Sequence, residues 1–231
     1  LASLGLFGAA NQGRTIVLFL PTTMARVVLP ILCDTCGNGG EKDFGKAVSM
    51  QLRTVSLITL PLIMLLITLA NPLAMIYGAR FSSIEGILPV LLASVYFSAL
   101  NESTRLIFES TGRQWTGFSL DAAWGAIHLA ACWLLVLRYG VYGFALAHLC
   151  SEIILYAIQT MTAYFCLEIR SLRSQLRLIL FAGIMLSIVC VGKAILEPLD
   201  WTMVCFGLVI CSLVPLFSTL RSIRVRTVPG R

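Results

Sequence analysis

The chain has 231 residues, 58% hydrophobic and only 12% charged, and 17 Lys+Arg against 11 Asp+Glu give a formal charge of +6. Ordinary globular domains are about 45–50% apolar and about 25% charged. A mean hydropathy of +0.90 therefore excludes a soluble α/β enzyme, a disulfide-stapled secreted domain and a disordered tail, and points to a multi-pass membrane protein.

In chain order, residues 1–13 read as an external lead-in to the first apolar run. A bilayer core about 30 Å thick needs about 20 apolar residues in a helix. Seven runs meet that length, at residues 14–32, 47–69, 84–109, 115–137, 141–166, 178–196 and 201–220. Interior Pro21, Pro61, Pro89, Gly125 and Pro215 do not demote them, because bilayer helices tolerate such residues. The first five runs fill residues 14–166. A basic loop, the last two spans and a basic tail fill 167–231.

The longest loop, residues 33–46, is polar and Gly-rich and carries a lone Cys33-x-x-Cys36 pair. A structural zinc site takes four ligands, so no metal and no cofactor is expected. The other six cysteines fall in or at the ends of apolar runs, where Cys behaves as a small hydrophobe.

Basic residues sit in the breaks between spans and not on a folded face with a recognition motif, so no nucleic-acid partner is expected. On alternate sides they count four (Arg14, Arg80, Arg138, Lys193) against eleven. The positive-inside rule puts the larger group, and the C-terminus, in the cytoplasm.

A charge at mid-bilayer costs about 2.5–3.5 kcal/mol on the insertion scale, which directs attention to the polar residues inside spans. Arg26 lies in the first span; Asn101, Glu102, Arg105 and Glu109 in the third; Asp121 and His128 in the fourth; His148 and Glu152 in the fifth. These four spans should share an interior or a water-filled cavity. Glu102, Arg105 and Glu109 fall on one helix face at spacings of three and four. Glu102 and Glu109 are then charge partners of Arg105. They either neutralise it for insertion or hold it toward an anionic group, which a guanidinium suits by its forked donors. Arg26 has no acid within one turn, so it needs a partner on another helix or a ligand. His148 and Glu152 are spaced to exchange a hydrogen bond. With Asp121 they are the candidates for proton or sodium coupling, against the plainer reading of helix–helix hydrogen bonds. Trp115, Trp133 and Trp201 lie at span ends, as interfacial belts require; Trp124 is deeper and could stack on a sugar. Among the spans and loops no Ser-His-Asp order, phosphate-binding glycine loop or metal-spaced cluster appears, so no enzymatic activity is expected.

Several segments resemble the polysaccharide-transporter branch of the multidrug/oligosaccharidyl-lipid/polysaccharide exporter superfamily. They are Leu6-Phe7-Gly8-Ala9-Ala10-Asn11-Gln12 with Val28-Leu29-Pro30-Ile31, then Asn71-Pro72-Leu73-Ala74-Met75-Ile76-Tyr77-Gly78. Glu109-Ser110-Thr111-Gly112-Arg113 and Tyr139-Gly140-Val141-Tyr142-Gly143-Phe144-Ala145 complete the set. The resemblance implies an all-α polytopic bundle, the second lobe of a two-lobe alternating-access transporter plus two extra helices. The first lobe would lie outside this sequence, and the half alone is not expected to transport. It further implies a flippase moving undecaprenyl-diphosphate-linked oligosaccharides across the bacterial inner membrane for O-antigen, capsule or exopolysaccharide synthesis. The partners would be the lipid-linked oligosaccharide and membrane lipids, with an ion gradient as drive. On that map Arg26 and Arg105 would bind the diphosphate. The rivals are a drug/cation antiporter of the same superfamily, working through the acids, a membrane polysaccharide polymerase or glycosyltransferase, and a scaffold in which no intramembrane charge matters.

Overall fold

The computed structural model describes residues 2–38, 40–69 and 84–167. The expected spans at 178–196 and 201–220, the basic tail and the Asn71–Gly78 segment lie outside the described residues. Four helices follow one another: α1 (Ala2–Asn38), α2 (Glu41–Thr68), α3 (Ile84–Ser110) and α4 (Gln114–Leu167). Each contains one of the expected spans, or two in the case of α4, and the helices overrun the apolar runs. In particular α1 begins at Ala2, so the stretch expected as a lead-in is its first turns.

The described residues are helical because nearly every backbone group must be satisfied within its own segment once water is excluded. The prolines interrupt this ladder without ending it: Pro21 and Pro30 lie inside α1, Pro61 inside α2 and Pro89 inside α3. Just after Pro21, the Thr22 and Thr23 hydroxyls donate to the carbonyls of Leu18 and Phe19 at 2.8 and 2.7 Å. A hydroxyl in an apolar helix is thereby satisfied by the preceding turn.

α3 is the central element and packs on α1, α2 and α4. Its buried Leu91, Leu92, Tyr96, Ile107 and Phe108 meet Leu52, Ile63, Met64 and Ile67 of α2 and Val17 and Leu32 of α1 in one core. The Tyr96 hydroxyl and Ser56 share a hydrogen bond of 2.6 Å that pins α3 to α2. Large apolar side chains also face outward, among them Phe19, Val27, Leu129, Trp133 and Leu137. Trp115 is 83% exposed and Trp133 75%, as a membrane interface requires. Three helices among the described residues are long and apolar enough to cross a membrane, Asn11–Asn38, Lys42–Thr68 and Gln114–Phe165.

α3 ends where glycine lets it. Gly112 adopts φ 71, Arg113 N–H donates to the Phe108 carbonyl at 2.8 Å, and Gly112 N–H donates to Glu109 at 3.2 Å. That is the double bond pattern of a Schellman cap, which needs a left-handed residue at the position Gly112 fills.

α4 is two helices joined through one residue. Gly140 has φ 57 and ψ −133, a conformation that side chains strongly disfavour. The chain folds back so tightly that a side chain on Gly143 would collide with the Leu135 carbonyl. The two arms, residues 114–139 and 141–167, are the separate fourth and fifth spans expected from the hydropathy.

Candidate functional site

The intramembrane charges form two clusters. The first centres on Arg105 of α3. Its guanidinium lies 3.4 Å from Glu102, 3.2 Å from Glu109 and 3.7 Å from Asp121 of the first α4 arm. The same-face triad is therefore joined by a third carboxylate from the neighbouring helix. The first arm lies against α3 here, with Gly117 beside Phe108 and the Arg105 stem. All four charged side chains are between 31 and 40% exposed.

The second cluster is dry. Asn101 of α3 donates one amide to both the Glu152 carboxylate, at 2.6 Å, and the Glu152 backbone carbonyl, at 3.1 Å. Ser98 lies beside the same carboxylate. His148 and Glu152 are each 4% exposed. Their expected hydrogen bond is not made: His148 Nε2 stands 3.7 Å from Glu152 Oε1, beyond bonding range. The carboxylate turns instead to Asn101, whose planar amide reaches two acceptors at once.

Folding back of the α4 arms brings the histidines together. His128 Nδ1 and Ser151 Oγ are 3.0 Å apart. The rings of His128 and His148 meet edge to face at 5.2 Å, while Trp124 stacks on His128 at 5.3 Å with 7° between planes. Asp121 and His128 share a helix face, yet the structure sends Asp121 to Arg105 and His128 to the dry cluster. Trp124 Nε1, His148 Nε2 and Asn101 Oδ1 are buried without a hydrogen-bond partner among the described residues, a departure from the usual satisfaction of buried polar atoms.

Arg26 is not drawn into either cluster. It is exposed on α1 and has no ion pair among the described residues. Arg14, one helical stripe above it, is the residue that the sequence reading missed. It stands within electrostatic reach of Glu152, His128 and His148. It also lines an open groove of about 310 Å³ with Asn11, Thr15, Leu18, Phe19 and Thr22. Its position at the start of the first span made it look like a flanking cation. The spacing of Asn11, Thr15, Leu18, Thr22 and Arg26 by three and four was the available signal for a polar stripe. Cys33 and Cys36 are exposed free thiols. Among the described residues no group of three His, Cys, Asp or Glu could hold a metal.

No family model matches the sequence, and no curated protein matches it. Among solved structures the chain is similar to the lipid II flippase MurJ in its inward closed conformation, with a TM-score of 0.64 and 18% sequence identity. The match covers 96% of this chain and 48% of that one, so the chain spans about half the length of the protein it resembles. At this identity the likeness establishes the fold. The chain is an all-helical, multi-pass membrane protein with the architecture of half of that flippase.

Proposed function

We propose that the chain is the second lobe of a flippase that moves undecaprenyl-diphosphate-linked oligosaccharide repeat units across the bacterial inner membrane by alternating access. It would belong to the multidrug/oligosaccharidyl-lipid/polysaccharide exporter superfamily, with the C-terminus cytoplasmic. The observation that carries this reading is the shared architecture with a lipid II flippase. Arg26 and Arg105 would hold the diphosphate, and Trp124, whose indole N–H is unpartnered among the described residues, would meet a sugar. Glu102 and Glu109 orient Arg105, while Asp121, His148 and Glu152 couple the cycle to an ion. Expelling charge from a dry site on one side and rehydrating it on the other is how such residues bias two conformations.

The test uses the whole protein in cells that depend on it for a surface polysaccharide. Arg26→Ala and Arg105→Ala should each lose surface polymer and accumulate lipid-linked units at normal membrane abundance. Normal polymer in both variants overturns the reading. A second reading draws on Asp121 joining the Arg105 group, which leaves three carboxylates around one guanidinium. That formal excess of negative charge suits an organic cation, and a drug/cation antiporter would lose export on Asp121→Asn or Glu152→Gln while tolerating Arg105→Ala.

A further inference from the structure

Cys33 and Cys36 differ from the other cysteines of the chain. They lie past the first apolar run, in a stretch that also holds Asp34 and Asn38, and both are exposed free thiols. α1 continues to Asn38, so the two thiols stand three apart on one helical face. The side chains between them have partners of their own. Asp34 accepts from the Asn38 amide at 2.7 Å, and the Thr35 hydroxyl donates to the Ile31 carbonyl at 2.9 Å. Beside the pair the space is open, since a side chain on Gly37 would meet nothing within 4 Å.

The geometry sorts the chemistries available to such a pair. A disulfide needs Cβ atoms about 3.5–4.5 Å apart, whereas helix residues three apart hold them at about 5–6 Å. Oxidation would therefore have to unwind the end of α1. Reactive redox cysteines sit at helix N-termini or beside cations; this pair sits at a C-terminal end with no basic residue in the last turn. Zinc takes four ligands, and among the described residues no third His, Cys, Asp or Glu joins the two thiols. A soft ion satisfied by two sulfurs is the chemistry that fits, and thiolates select cuprous ion.

We propose that Cys33 and Cys36 bind one cuprous-class ion as a two-thiolate site at the end of α1. With a metal–thiolate distance of about 2.3 Å, as for zinc, two sulfurs on opposite sides of the ion stand about 4.6 Å apart. Stems about 5–6 Å apart reach that span with the helix intact. Each thiol loses its proton and each sulfur gives an electron pair to the ion; no electron changes hands. Two protons leave per ion, so binding tightens as pH rises. The exposed position lets water carry the single net negative charge that remains. The orientation proposed above puts this end of α1 in the cytoplasm, where thiols stay reduced. The site itself does not depend on the flippase reading.

The experiment titrates the purified full chain, in phosphatidylcholine nanodiscs without oxygen, into cuprous ion held by a coloured bidentate chelator. One ion per chain should leave the chelator, more completely at pH 8 than at pH 6. The transfer should be lost in Cys33→Ser and in Cys36→Ser. It should persist in Cys132→Ser, which removes the other soft pair, Cys132 Sγ at 3.5 Å from His128 Nε2. Copper X-ray absorption of the loaded wild type should show two sulfur neighbours, and circular dichroism should show no loss of helix. Absence of transfer in the wild type, a nitrogen neighbour on the copper, or a Cys33–Cys36 disulfide forming with loss of helix overturns the proposal whether or not any variant folds. None of these outcomes bears on the surface-polymer phenotype of Arg105→Ala, so the thiolate site and the flippase reading fail separately.

Discussion

Arg105 and Glu152 are both charged groups on elements that pack together, yet one keeps its partners near water and the other keeps them dry. Arg105 gathers three carboxylates at 3.2–3.7 Å, all about a third exposed. Glu152 has one short bond, to Asn101 at 2.6 Å, in surroundings only 4–5% exposed. Exposed ion pairs are worth about 0–1 kcal/mol because solvent screens them. A buried group that loses its partner leaves an uncompensated charge or dipole, which costs several times more. The more numerous interactions therefore belong to the weaker cluster, and the number of ion pairs is a poor guide to what holds this bundle together.

The contrast can be broken at four points, each read by thermal or denaturant unfolding of the purified chain in detergent. Gly143→Val attacks the support of the dry cluster: any side chain there meets the Leu135 backbone and parts the arms that bring His128 to Ser151. Overpacking against backbone should cost about 3 kcal/mol. Asn101→Ala removes the short bond to Glu152 and should cost about 2 kcal/mol, in the range for bonds to charged groups. A loss below about 0.5 kcal/mol, the low end for a net hydrogen bond, would put the buried pair level with the exposed ones. Gly140→Ala strains the one-residue turn and should cost about 1–2 kcal/mol. Arg105→Ala should cost under about 1 kcal/mol, and the effect should shrink as salt rises. A larger, salt-insensitive loss at Arg105 would mean that its cluster is sheltered from water.

Hydropathy alone located the four described helices and divided α4, because span length is set by bilayer thickness and α4 carries two apolar runs of that length. The Glu102–Arg105–Glu109 face was legible for the same reason, since helical spacing is local. What lay beyond reach was contact between elements. Asp121 joins Arg105 because the first α4 arm packs on α3, and His128 finds Ser151, 23 residues away, because Gly140 reverses the chain. His148 and Glu152 have ideal spacing for a bond, but spacing fixes only the stems; Asn101, on another helix, wins the carboxylate. Arg14 was overlooked because a cation at the start of an apolar run looks like a topology signal whether it faces water or a neighbouring helix.

The turn at Gly140 also bears on how the protein enters the membrane. With its arms closed, the α4 hairpin already matches His128 with Ser151 and stacks Trp124 on His128, using only its own residues. These polar groups need not cross hydrocarbon unpaired, so two segments that would each insert at a penalty can insert together as a preassembled unit. Glu152 and Asp121 are exceptions, since their partners Asn101 and Arg105 sit on α3. Docking of the hairpin on α3 is then the step that gives both carboxylates their partners, which ties correct lateral assembly in the bilayer to two acidic side chains.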